Sequence, residues 1–190
     1  MGLILLSAFE PFGRDEMNSS RIVLDMISDS CGRNPVEKTV LPVIYEKAFD
    51  TLISRSLELD PDYIICMGQA GGRKKISIER IAVNINSSEM PDNEGNIRKD
   101  LLIKKDGPAA FMSGIPFETY PEDVVMSYSA GTFVCNDLFY RLLSYKNAHS
   151  SKTEICFIHL PYTEHFGKIP LIESKKQAQT MERMLSVLGE

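Results

Sequence analysis

The stretch Val124-Val-Met-Ser-Tyr-Ser-Ala-Gly-Thr-Phe-Val-Cys-Asn136 passes from a β-branched strand pattern, through Ser-Ala-Gly, into a helical pattern that continues with Leu138, Phe139, Leu142 and Leu143. A strand followed at once by a helix is half of a β-α-β unit. Similar apolar runs at Leu3 to Ala8, Thr39 to Val43, Tyr63 to Met67 and Ile155 to His159 alternate with helical segments. The pattern predicts an α/β domain: a three-layer α/β/α sandwich with a mostly parallel twisted sheet and helices on both faces. Asn18 is a natural cap for a first helix with Ile22, Val23, Met26 and Ile27 on its apolar face. Further helices are expected from about Tyr45 to Leu59, after Cys135, and from about Pro170 to Leu188.

With 190 residues, 43% of them hydrophobic and 25% charged, the chain suits a single domain spanning residues 1–190. The net charge of -5 is spread without blocks of like sign, which argues against a nucleic-acid partner. The apolar opening lacks a basic leader region and runs into Glu10-Pro-Phe-Gly13, so it reads as a first strand. No run reaches the length of a membrane span, and a cytoplasmic location is expected. The cysteines Cys31, Cys66, Cys135 and Cys156 lack metal-ligand spacing, so neither metal nor other cofactor is implied. Cys66 and Cys156 read as buried strand residues and Cys31 as inert.

Parallel strands deliver their carboxyl ends to one edge, where ligands of open α/β sheets bind. Leu3 to Ala8 leads there into Phe9-Glu-Pro-Phe-Gly13, Tyr63 to Met67 into Gly68-Gln-Ala-Gly-Gly-Arg73, and Ile155 onward into His159-Leu-Pro161. Val124 to Tyr128 is expected to bring Cys135 to that edge. A cysteine in the first turn of a helix meets unpaired N–H groups, which favour thiolate and draw its pKa toward neutrality. His159 is then the candidate base, and Glu79 the acid that orients its ring. Between Ile76 and Asn86, Ile81, Val83 and Ile85 alternate as the buried face of a strand, with Glu79 on the same parity. Each residue taken singly has a plainer reading: Cys135 as a buried helix-start cysteine, His159 as a strand-end histidine bonded to backbone, Glu79 as a surface ion pair with Arg80. Their joint occurrence with glycine-containing loops favours chemistry. His149 reads as solvated and His165 as a secondary base.

Eight segments in order resemble the cysteine exopeptidases of the pyroglutamyl peptidase I family, the pyrrolidone-carboxylate peptidases. They are Phe9-Glu-Pro-Phe-Gly13, Leu41-Pro-Val43, Gly68-Gln-Ala-Gly-Gly-Arg73, Ile78-Glu-Arg-Ile-Ala-Val-Asn84, Pro91-Asp-Asn-Glu-Gly95, Gly107-Pro-Ala-Ala-Phe111, Ser129 to Asn136 and Phe157-Ile-His-Leu-Pro-Tyr162. The resemblance implies Cys135 as nucleophile, His159 as base and Glu79 as orienting acid. It implies peptides with an N-terminal pyroglutamyl residue as substrates, and a homo-oligomer, often a tetramer. Phe9, Phe12 and Phe133 would line a slot for the lactam ring, with Gln69 beside it. One departure stands out. The family carries Ala-Arg-Ile before Pro91-Asp-Asn, and that arginine helps form the oxyanion hole, whereas this chain has Ser88-Glu-Met90. Glu89 cannot donate to an oxyanion, and one lost donor costs roughly 10²–10³ in turnover. A divergent homologue that binds a peptide or lactam with little turnover is therefore the alternative. A third reading, a phosphorylase-like transferase holding an anion on Gly68 to Arg73, leaves Cys135, His159 and Glu79 without a task.

Overall fold

A computed structural model of the chain describes residues 1–190 except 115, 118, 169, 170 and 190. In chain order the elements are β1 Ile4–Phe9, α1 Ser19–Met26, β2 Ser30–Cys31, β3 Asn34–Leu41, α2 Lys47–Leu59, β4 Tyr63–Gln69, β5 Ile76–Glu79, β6 Ile81–Val83, β7 Asn86–Ser88, β8 Arg98–Leu101, β9 Ala110–Met112, β10 Val124–Ser127, α3 Val134–His149, β11 Glu154–Leu160 and α4 Ser174–Ser186. Seven strands form the central sheet in the order β10-β5-β11-β4-β1-β3-β2. The pairs β11-β4, β4-β1 and β1-β3 are parallel. The expected α/β/α layering and mostly parallel sheet are therefore present. Small two-stranded sheets, β6-β9 and β7-β8, flank it.

The strand period of two separates two cores. Ile4, Leu6 and Ala8 of β1 join Ile65, Met67 and Ile158 beneath α1 and α4, where Val23, Leu24, Met181 and Leu185 meet them. Leu5 and Phe9 point the other way, to Ile64, Cys66 and Phe157 beneath α2 and α3, packed on Leu52, Leu138, Phe139 and Leu142. Asn18 caps α1, its side chain accepting from Ser20 N–H at 3.0 Å. The inward stripe of α1 is Ser20, Val23, Leu24 and Ile27, while Met26 is exposed. Ser20 takes an inward position because its hydroxyl accepts from Phe9 N–H at 3.1 Å. The last helix begins at Ser174; Pro170, the expected start, lies outside the described residues.

Three further expectations are corrected. β3 begins at Asn34, ahead of Thr39, because Pro35 precedes the register with β1, which starts at Ile4 opposite Val36. Between Ile81 and Asn86 the parity is inverted: Ala82, Asn84 and Asn86 are buried, while Ile81, Val83 and Ile85 are half-buried. The chain breaks at Arg80 between β5 and β6, so alternation does not carry over from Glu79. Most consequential is direction. β5 pairs antiparallel with β11, and β10 runs parallel to β5, so β10 does not carry its carboxyl end to the edge reached by β1, β4 and β11. The register places His159 opposite Ser77, and Ser77 opposite Val125, so the edge beside His159 meets the beginnings of β5 and β10.

Candidate active site

His159 lies near the end of β11, in register with Gly68 of β4. Gly68 is the residue that admits the thiol. A Cβ there would fall 2.9 Å from Cys135 Sγ and 3.0 Å from the Phe157 ring, so any side chain would displace one of them. α3 thus starts over the face of β4, and the Ser129 to Thr132 turn brings it there. Its first turn is anchored by the two residues after the cysteine. Asn136 accepts from Val83 N–H at 2.9 Å and donates to the carbonyls of Val83 at 2.9 Å and Ile85 at 3.0 Å. Asp137 accepts from Asn86 at 2.7 Å and Arg141 at 2.8 Å. The buried Asn84 and Asn86 and the anchoring by Asn136 were not read from the sequence; polar residues at buried parity beside a candidate nucleophile were the available signal.

Glu79 is 0% exposed and His159 4%. His159 Nδ1 lies 2.7 Å from Glu79 Oε1. Since a carboxylate only accepts, Nδ1 carries the proton and Nε2 is left as the free acceptor. Arg73 Nη2 approaches the same Oε1 at 2.7 Å, and also donates to Ser129 O at 2.8 Å. Glu79 Oε2 is buried without a hydrogen-bond partner among the described residues. Glu79 is therefore not a surface partner of Arg80, whose Nε donates instead to Ser113 O at 3.1 Å.

Burial holds His159 below the ordinary histidine range, against the opposing pull of Glu79. Burial, followed by the Glu79 charge, pushes the Cys135 thiol up to about 12, while Arg73 and the cysteine's own N–H pull it down. The expected drop toward neutrality is thus not present: desolvation and a nearby carboxylate outweigh the helix terminus. Both directions favour the uncharged thiol and the uncharged imidazole, and a thiol held that way forms thiolate when a neighbouring base takes its proton.

Cys135, His159, Phe12, Phe133 and Gln69 all line one cavity of about 790 Å³. Phe12 and Phe133 face each other with ring centroids 6.1 Å apart, making an apolar end, and Met90 joins this lining. Gln69 is committed to structure: Oε1 accepts from Ser19 N–H at 2.7 Å and Nε2 donates to Asp15 at 3.2 Å. Phe9 is elsewhere. It is 2% exposed and packs 6.4 Å from Phe157 in the core, off the cavity wall. Glu89 is exposed and is also not part of the cavity lining, although its neighbour Met90 is. His149 is exposed, with Nδ1 2.9 Å from Tyr145 O, and His165 is exposed beside Glu164. Cys31, Cys66 and Cys156 are free and buried, with thiols pushed above the usual range by desolvation. Among the described residues no group of His, Cys, Asp and Glu is arranged to hold a metal.

A family profile described as pyroglutamyl peptidase matches residues 3–179. The chain belongs to the pyroglutamyl peptidase family. It is 39% identical over 166 residues to the pyrrolidone-carboxylate peptidase of Thermosipho africanus, covering 84% of this chain and 81% of that one. It is 36% identical over 170 residues to the enzyme of the same name from Bacillus thuringiensis, covering 85% and 79%. Among solved structures, pyroglutamyl peptidase I from Bacillus amyloliquefaciens superposes with a TM-score of 0.91 at 33% identity, over 98% of this chain and 95% of that chain. The pyrrolidone carboxyl peptidase of Thermococcus litoralis gives 0.89 at 30% identity, over 98% and 92%. Membership places the chain among the cysteine peptidases that act on pyroglutamyl peptides. Among the described residues no helix is long and apolar enough to cross a membrane.

Proposed function

We propose that the protein removes N-terminal pyroglutamyl residues from peptides by a Cys135-His159-Glu79 triad. The observation that carries this reading is the 2.7 Å hydrogen bond from His159 to a fully buried Glu79, in a cavity that also holds the Cys135 side chain. The lactam ring packs against the apolar surface that Phe12 and Phe133 make together, since a flat neutral ring needs an apolar wall and no carboxylate. His159 Nε2 takes the thiol proton as Sγ bonds to the pyroglutamyl carbonyl carbon. The oxyanion is held at the first turn of α3, where the Cys135 N–H has no intrahelical acceptor. As the C–N bond breaks, His159 returns its proton to the departing amine. Water, deprotonated by His159, then cleaves the thioester and releases pyroglutamate. Phe9 acts behind this surface, supporting Phe157, whose ring lies 5.0 Å from that of His159.

Hydrolysis of a fluorogenic pyroglutamyl amide, lost in Cys135→Ala, is the expected result; activity surviving that substitution overturns the assignment. Glu89 supports a second reading, a weakly active binder with an impaired oxyanion hole. A large gain in turnover on Glu89→Arg shows an enzyme whose hole is merely impaired, whereas no activity in either form, with measurable ligand binding, favours the binder. The exposure of Glu89 and its position off the cavity wall favour the active enzyme. The homo-oligomer that the family resemblance implies is tested by sedimentation of the purified chain.

A further inference from the structure

We infer that Arg73 is a positioning residue for the nucleophile and base, balancing the buried Glu79 carboxylate so that Glu79 orients His159 without drawing it into a buried ion pair. The inference rests on the triad assigned above. Glu79 has no exposed surface, and its Oε2 has no hydrogen-bond partner among the described residues. A carboxylate so placed is costly unless a cation balances it. The charge that does so is Arg73, with Nη2 2.7 Å from Oε1 and 27% of its side chain exposed toward the cavity it lines. The same nitrogen donates to Ser129 O, tying the Gly68 to Arg73 loop to the turn that precedes Cys135.

The groups bearing on the pair are Glu79 from β5, Arg73 from the loop after β4, Cys135 from α3 and Cys66 from β4. Without Arg73, the buried Glu79-His159 pair carries an uncompensated negative charge and takes up a proton more readily. A larger fraction of His159 would then be imidazolium, which cannot accept the thiol proton. The Cys135 thiolate would also face Glu79 without the opposing cation. Arg73 thus counters both effects while leaving the His159-Glu79 hydrogen bond in place.

The chain has three histidines, so labelled imidazole resonances resolve the question directly. The measurement is NMR titration of His159 in the whole protein, with the rate of Cys135 alkylation by iodoacetamide at neutral pH. In Arg73→Gln the midpoint of His159 is expected to rise by about one pH unit, the shift expected from losing a charge this close. Alkylation is expected to slow about tenfold, with His149 and His165 unmoved. Arg73→Lys keeps the charge and restores the midpoint toward the original value. Arg73→Met, whose stem fills similar space, repeats the test if the Gln variant does not fold. A His159 midpoint unchanged in a folded neutral variant overturns the inference, even if melting temperature falls, because loss of the Ser129 tie alone moves stability and not the titration. Hydrolysis of a pyroglutamyl amide is read separately: its absence in the unsubstituted protein counts against the triad, whereas the titration reports on Arg73.

Discussion

The two halves of the central sheet contribute different things to the site. The parallel half, β3-β1-β4-β11, supplies apolar packing, the bare backbone of Gly68 and His159, the proposed base. The reversed pair β5-β10 supplies the acid, Glu79 at the end of β5, and the loop joining β4 to β5 supplies Arg73 beside it. In a parallel arrangement the carboxyl end of β5 would lie beside the carboxyl end of β11, level with or beyond His159. Reversal instead sets Glu79 opposite Phe157, two residues before His159, within reach of the inner ring nitrogen. Strand direction therefore sets the depth at which Glu79 meets the histidine.

Both halves should matter, but in different ways. Cys135→Ala removes the proposed nucleophile, which the two halves jointly position, and a loss on the order of 10⁴-fold or more in kcat is expected from steady-state hydrolysis. Glu79→Gln attacks the reversed half. It keeps the shape, loses the charge that stabilises imidazolium and leaves Arg73 unbalanced, so a loss of about 10³-fold in kcat is expected, with KM little changed. Gly68→Ala attacks the parallel half: the added methyl collides with Sγ and the Phe157 ring, and a displaced thiol should cost about 10²-fold. Unlike the Glu79 substitution, it should also lower the melting temperature, since overpacking costs about 1–3 kcal/mol. Equal thermal stability of the two variants would erase the distinction between the halves.

Acidification gives a smaller effect with a definite sign. As the proposed base, His159 must be neutral to act, and burial holds it below the ordinary histidine pKa. The acid limb of kcat/KM should therefore lie below about 6.5, measurable with a buffer series. Stability follows the same direction. The unfolded chain binds this proton at about 6.5 while the folded chain does not until lower pH, so stability from this group is full above about 6.5 and declines as pH falls toward the folded value. Smallest of all should be Glu89→Arg, within about twofold in kcat/KM, the range of a surface substitution.

Much of this was legible in the sequence. Period-two apolar runs and helical stripes mark β1, β4, β11 and α3 because each buries a continuous apolar face, and Leu138, Phe139, Leu142 and Leu143 are all buried as read. Cys135, His159, Phe12, Phe133 and Gln69 share one cavity, and Glu79 bonds to His159. Strand direction was not legible, because hydrophobic alternation is the same read either way along a strand, and so β10 was assigned the wrong edge. Phe9 was hidden for a related reason: a core aromatic and a slot aromatic leave the same trace, and only the packing on Phe157 separates them. The thiol's environment was misjudged because helix termini are visible in sequence while desolvation is a property of the assembled site.

The account turns on Cys135 as the atom that carries the acyl group. Rapid quenching of the protein during turnover of a pyroglutamyl amide, followed by peptide mapping by mass spectrometry, tests it most directly. The predicted result is one pyroglutamyl group on the peptide containing Cys135, absent from Cys135→Ala and more persistent when His159 is replaced. Hydrolysis proceeding in Cys135→Ala, or an acyl group found on any other residue, would contradict it.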